Sequence, residues 1–116
     1  MTGSGDFTKI AKTSDIPDGD VRVYSCEGAP GDGKIAVCHA EGKFYAVQDL
    51  CTHDGGPLGE GELVGTQIEC PRHGARFDIK SGKALCLPAV VGIPTYEVEV
   101  RGDDVYVKCN VAQASV

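Results

Sequence analysis

Two short runs place a thiol beside an imidazole: Cys51-Thr52-His53 and Cys70-Pro71-Arg72-His73, with residues 54–69 between them. As thiolates and neutral imidazoles they form a four-donor set of mixed softness, and two kinds of metal site can use it. Tetrahedral zinc accepts two sulfurs and two nitrogens, whereas a two-iron, two-sulfide cluster can take both thiolates on one iron and both imidazoles on the other. Zinc modules usually pair cysteine with cysteine and histidine with histidine, about two to four residues apart. Here each run mixes one of each, and only Thr52 separates the first pair. The spacing therefore favours the cluster. The other four cysteines, Cys26, Cys38, Cys86 and Cys109, are scattered without close partners. Free cysteine is among the most buried residue types, so they are read as structural thiols, with extra ligands, redox sensors or disulfides as the competing roles. His39 follows Ile35 and Val37 in strand parity and is read as a hydrogen-bonded sheet histidine rather than a ligand.

The segments that must hold these runs are short strands. Sixteen glycines and six prolines are spread along the chain, and no stretch sustains a 3.6-residue apolar period, which predicts many strands and turns and little helix. Tyr96, Val98 and Val100 alternate with Glu97, Glu99 and Arg101, then Val105, Val107 and Cys109 alternate with Tyr106 and Lys108. With a turn at Gly102-Asp103, this is a hairpin with one wet face. Residues 35–39 and 43–47 flank Glu41-Gly42 as a second hairpin. Residues 67–69 lead into the second Cys/His run and 76–79 leave it before a turn at Ser81-Gly82, so that run is expected at a hairpin tip. The first run follows a strand over 44–47 and precedes Asp54-Gly55-Gly56-Pro57-Leu58-Gly59, which is too rich in glycine for helix or strand and reads as a loop. Residues 7–10 are expected to form an opening strand, and 112–116 to fray.

Composition narrows the function classes. At 116 residues, 41% of them hydrophobic and 24% charged, the chain can close one core but cannot hold two independent catalytic domains, so a single domain over 1–116 is expected. The formal charge of −6 argues against a partner held by its phosphates, and no nucleic acid is expected. Residues 1–10 show no basic region followed by an apolar run, so no export signal is expected. The longest apolar stretch, 84–91, is interrupted by Pro88 and falls far short of the about 20 residues of a bilayer-spanning helix. A soluble, cytoplasmic monomer without a membrane partner is the expectation.

Cys51-Thr52-His53 and Cys70-Pro71-Arg72-His73-Gly74 resemble the two cluster-binding boxes of Rieske iron–sulfur proteins. From about Phe7 through the final hairpin the chain is similar to the small Rieske-type ferredoxins of bacterial ring-hydroxylating dioxygenase systems. That resemblance implies an all-β fold of stacked antiparallel sheets, with a small cluster-binding subdomain of two loops over about residues 48–86. It implies one [2Fe–2S] cluster per chain, with Cys51 and Cys70 on the buried iron and His53 and His73 on the outer iron near solvent. It also implies single-electron transfer from a flavin-dependent ferredoxin reductase to a terminal oxygenase carrying its own cluster and mononuclear iron. With only His39 left over, the chain lacks the two histidines and a carboxylate of a second, oxygen-activating site, so a shuttle is expected and not the oxygenase. Two other readings use the same residues: an electron-transfer subunit of another reductase, such as a nitrite-reductase-like complex, and a zinc-stabilised interaction module.

The ligand set also bears on potential. Two neutral imidazoles in place of two thiolates leave the assembly less negative, so an added electron meets less repulsion; hydrogen bonds to the sulfurs raise the potential further. High-potential respiratory Rieske proteins carry a Ser and a Tyr after the second box, where this chain has Ala75 and Phe77. They also carry a cysteine in each loop, where this chain has Gly56 and Arg72. A potential toward the low end of the roughly −150 to +300 mV Rieske range is therefore expected. Gly55, Gly56 and Gly74 would allow close backbone approach and N–H donation to the cluster, and Pro57 and Leu58 would shield it, with plain tight-turn glycines and packed loop residues as the competing readings. The imidazole edges of His53 and His73, rimmed by Asp54, Pro57, Leu58, Arg72 and Arg76, are the expected docking face. Glu60, Glu62, Glu97, Glu99, Asp103 and Asp104 read first as a solvated face, with steering of a basic partner as the competing role.

Overall fold

Short alternating segments punctuated by glycine turns become strands throughout the computed structural model, which describes residues 7–26, 33–49, 61–70, 76–86, 92, 93 and 95–109. Its strands are β1 (Phe7–Lys12), β2 (Val21–Ser25), β3 (Lys34–Ala40), β4 (Lys43–Gln48) and β5 (Glu62–Val64), followed by β6 (Gln67–Glu69), β7 (Arg76–Asp78), β8 (Ala84–Cys86), β9 (Thr95–Arg101) and β10 (Asp104–Lys108). A 3₁₀ turn at Thr13–Asp15 is the one helical element among the described residues. Every strand pair is antiparallel. One sheet runs β1-β10-β9-β4-β3-β2 and the other runs β5-β6-β7-β8. The expected all-β fold of antiparallel sheets is what the chain forms, and no described helix is long and apolar enough to cross a membrane.

Turn chemistry sets the register of the hairpins. Ala40 faces Lys43 across a two-residue turn in which Glu41 and Gly42 both take left-handed backbone, φ 53° and 79°. That is the turn whose twist matches paired strands. The predicted opening strand extends two residues further than the alternation suggests, to Lys12, because Ala11 and Lys12 continue the ladder against Val105 and Asp104 beyond an irregularity at Ile10.

The apolar residues divide into two cores on opposite faces of β3 and β4. Ile35, Val37 and Ala46 join Ala11, Ile16, Tyr96, Val105, Val107 and Cys109 in one core, so the six-stranded sheet curls until its two halves face each other. Ala36, Cys38, Ala40 and Val47 point the other way and pack against Ile68, Phe77, Ile79 and Ile93, which join the four-stranded sheet to the first. Burial on both faces explains why β3 reads Lys-Ile-Ala-Val-Cys-His-Ala, nearly continuous apolar sequence, while the β9–β10 hairpin alternates.

The reading of the scattered cysteines as structural thiols holds for Cys38 and fails for Cys26 and Cys109. Cys38 is buried and in no disulfide, and desolvation pushes its thiol up to about 12. Cys26 and Cys109 are joined in a disulfide, their Cα atoms 5.9 Å apart across 83 residues of sequence. Strand alternation cannot reveal that pairing, because it depends on how far the sheet curls. Cys86 lies opposite Arg76 in the β7–β8 register.

Candidate metal centre

Both Cys/His runs fall on connections whose ends the strands fix. β6 and β7 pair as Gln67↔Asp78, Ile68↔Phe77 and Glu69↔Arg76, so residues 70–75 close this hairpin, as the sequence predicts for the second run. The Glu69–Arg76 rung also carries an ion pair at 3.4 Å across the mouth of that connection. Both side chains are partly exposed, so the pair contributes little to stability, and the ladder itself sets the register of the two strand ends. The first run lies on the connection from β4, in the six-stranded sheet, to β5, in the four-stranded sheet. One Cys/His run therefore bridges the sheets and the other caps the second sheet's central hairpin.

Of the four candidate ligands, Cys70 lies within the described residues. Cys51, His53 and His73 lie outside them, as do Asp54, Gly55, Gly56, Pro57, Leu58, Glu60, Arg72, Gly74 and Ala75. Cys70 is the first residue after β6, is 1% exposed, and forms no disulfide. It belongs to the same apolar core as Ile68, Phe77, Ile79 and Ile93. A soft sulfur donor in apolar surroundings at a strand end fits the inner, water-excluded side of a cluster held by two thiolates and two imidazoles. Phe77 is fully buried in that core and pairs with Ile68, so the position that the resemblance compares with a tyrosine offers no hydroxyl.

His39 is a sheet histidine, as its parity suggests. Its Nδ1 lies 2.6 Å from the Ile16 carbonyl oxygen, its Nε2 lies 3.6 Å from Asp18, and its ring stacks on Phe44 with centroids 4.0 Å apart. The backbone repeats the tie: the Gly19 N–H donates to the His39 carbonyl, and the His39 N–H donates to the Asp20 carbonyl. Together these bonds pin the segment before β2 onto the β3–β4 hairpin.

The acidic residues on the described surface are partly paired. Glu99 accepts from Arg101 at 2.8 Å, and that guanidinium lies 4.5 Å above the Tyr106 ring, while Asp104 meets Lys9 at 3.3 Å. Pairing of this kind favours the solvated-face reading for Glu99 and Asp104.

One feature with a positional role has no signal in the spacing. Gly82, at φ +80°, stands where a Cβ would collide with the Ile93 carbonyl, and a Cβ on Gly92 would collide with the Gly82 carbonyl. The Gly82 N–H donates to Asp78 at 2.7 Å and the Ile93 N–H donates to Gly82 at 2.8 Å. This close backbone contact docks the β7–β8 turn against the chain entering β9, and so helps place the four-stranded sheet. Two glycines ten residues apart carry no such message until the fold brings them together.

Comparison with known proteins agrees with this architecture. The Rieske [2Fe-2S] domain model matches residues 6–97, a span that contains both Cys/His runs. The ferredoxin component of the naphthalene 1,2-dioxygenase system of Pseudomonas aeruginosa is 41% identical over 93 residues, covering 80% of this chain and 86% of that protein. The ferredoxin component of biphenyl 2,3-dioxygenase of Rhodococcus jostii is 39% identical over 101 residues, covering 87% and 91%. Among solved structures, a chain of the complex of reduced oxygenase and oxidised ferredoxin in carbazole 1,9a-dioxygenase superposes with a TM-score of 0.79 at 38% identity, covering 87% of this chain and 91% of that one. With the family model matching residues 6–97 and relatives about 40% identical over most of both chains, the chain belongs to the Rieske [2Fe–2S] domain family.

Proposed function

We propose that this chain is a one-electron carrier in which Cys51 and Cys70 hold the inner iron and His53 and His73 the outer iron of a single [2Fe–2S] cluster. The cluster-binding subdomain spans about residues 48–86 of a single domain. Electrons arrive from a flavin-dependent ferredoxin reductase and leave to a terminal oxygenase that hydroxylates aromatic rings, with all components in the cytoplasm. The observation that carries this reading is the match to dioxygenase ferredoxin components along most of the chain and most of theirs.

When bound, the cluster supplies a centre that accepts and returns one electron. The chain's own residues do the rest. Cys70, buried at the end of β6, supplies a sulfur donor shielded from water, in the core it shares with Phe77 and Ile68. His73 follows three positions later in the same hairpin connection, whose ends are held by Glu69 and Arg76. Cys51 and His53 belong in sequence to the connection between the sheets, so the Gly82–Ile93 contact that sets one sheet against the other bears on the two chain segments that carry the four donors. No bond of an aromatic substrate is made or broken by this chain, which is an electron-transfer component and not the oxygenase.

The test is handover. The protein, reduced with dithionite and desalted without oxygen, is mixed with oxidised terminal oxygenase of a naphthalene 1,2-dioxygenase system in a stopped-flow cell. The visible absorbance of the oxidised carrier is expected to return as one electron leaves each chain, and Cys70→Ser is expected to abolish the signal. A reduced carrier that stays reduced beside the oxygenase would contradict the reading.

A further inference from the structure

The six-stranded sheet ends on β1 at one side and β2 at the other, with β10 second and β2 last in the order. No ladder joins β2 to β10 among the described residues, yet Cys26, the residue after β2, and Cys109, the residue after β10, have Cα atoms 5.9 Å apart. That separation lies within the usual disulfide range. Both side chains are buried, 2% and 1% exposed, in the core that holds Ile16, Ile35, Val105 and Val107. The Cys26 N–H donates to the Gly33 carbonyl at 2.7 Å, which fixes the cysteine against the start of β3. Cys38, by contrast, is buried in the opposite core and stays unbridged.

We propose that Cys26 and Cys109 are a thiol–disulfide modification site that locks the seam of the curled sheet, independently of the electron-carrying centre. The pair is reduced where low-molecular-weight thiols prevail and closes when their disulfides accumulate. In closing, during local opening of the segments that follow β2 and β10, one protein thiolate is exposed and attacks the small disulfide RSSR, releasing RS⁻; the second protein thiolate then displaces the remaining RS group as the segments re-pack. The net change is two protein thiols plus RSSR to one Cys26–Cys109 bond plus two RSH. Two electrons pass from the cysteine sulfurs to RSSR, and the two thiol protons end on the released thiols. Cys70 lies in the other core, across β3 and β4, so this two-electron chemistry leaves the candidate cluster ligand untouched. Covalent closure across 83 residues restricts the unfolded chain far more than the folded one, so the oxidised form resists unfolding.

The intact full-length protein, equilibrated either with oxidised glutathione or with dithiothreitol, is quenched in acid, desalted to remove iron and sulfide, and alkylated in guanidinium with N-ethylmaleimide. With six cysteines in the chain, intact mass is expected to show six adducts after dithiothreitol. After oxidised glutathione it is expected to show two fewer, and peptide mapping is expected to join Cys26 to Cys109. The thermal midpoint of the oxidised sample is expected to lie higher by on the order of 10 °C. In the C26S/C109S variant the adduct number and the midpoint are expected to be the same in both arms. The full six adducts after oxidised glutathione, a retained glutathione on either cysteine, a cross-link to Cys38 or Cys86, or equal wild-type midpoints would each overturn the proposal. The wild-type comparison stands by itself if the variant fails to fold.

Discussion

Replacing Gly82 with alanine should injure the protein through one contact, and the structure supplies its own control. At φ +80° an alanine pays about 1–2 kcal/mol for left-handed backbone. Its Cβ would also drive into the Ile93 carbonyl and against Thr95 Cγ2 at 3.1 Å. Displacing a backbone oxygen in packed surroundings costs about 1–3 kcal/mol, and the Ile93-to-Gly82 hydrogen bond is strained with it. Alanine recovers about 0.4–1 kcal/mol by stiffening the unfolded chain. The net loss is about 3 kcal/mol. Gly65, at φ +63° with nothing within 4 Å of where a Cβ would stand, bears the backbone term alone, so Gly65→Ala should lose about 1 kcal/mol. With a urea slope of about 1.5 kcal/mol per molar, the midpoints should fall by about 2 M and about 0.7 M respectively. Because a bound cofactor breaks two-state behaviour, the comparison is of apparent midpoints at one incubation time, read by far-UV circular dichroism and by visible absorbance. Equal midpoints for the two variants, or a Gly82→Ala loss no larger than the backbone term, would refute the claim that the Gly82–Ile93 contact docks one sheet on the other.

The Cys38 thiol, pushed up to about 12 by burial, should hold about a thousand-fold less thiolate than a free cysteine at mild alkaline pH and resist iodoacetamide in the folded protein. The unfolded thiol ionises near 9 and the folded one near 12, so the unfolded chain binds fewer protons across that window. Stability should therefore be intact below pH 9 and fall by over ~1 kcal/mol per pH unit above it; between pH 9 and 10, before Tyr24, whose phenol burial also pushes up, begins to contribute, that slope should be absent from Cys38→Ala. His39→Ala removes the bond to the Ile16 carbonyl and the Phe44 stack, and should cost about 2 kcal/mol in urea while leaving the visible spectrum unchanged; a bleached protein would make His39 a ligand after all. A redox titration at neutral pH should fall toward the low end of the roughly −150 to +300 mV range, since Phe77 brings no donor; a value near the top would contradict that account.

The strands and the second hairpin tip were legible because alternation and turn residues are local signals. Tyr96, Val105 and Val107 turn inward and Glu97 and Glu99 outward, as the pattern requires, although Val100 is 45% exposed because the sheet runs past the core there. His39 was legible from parity with Ile35 and Val37. The Cys26–Cys109 bridge and the Gly82–Gly92 contact were not, since both depend on how distant segments meet once the sheets curl and stack. The candidate ligands came from donor chemistry and from the resemblance rather than from strand pattern: mixed soft and borderline donors at short spacing favour a cluster over zinc, and the resemblance assigns each residue its iron. Cys70 then takes a place at a strand end in apolar surroundings, where a sulfur donor is shielded from water.

Metal and sulfide analysis of freshly purified protein decides between an iron–sulfur cluster and zinc on these four residues. Iron and acid-labile sulfide should each be found at two per chain, with zinc absent, and single substitution of Cys51, His53, Cys70 or His73 by alanine should remove both together. Stoichiometric zinc without labile sulfide in the unaltered protein would contradict the account.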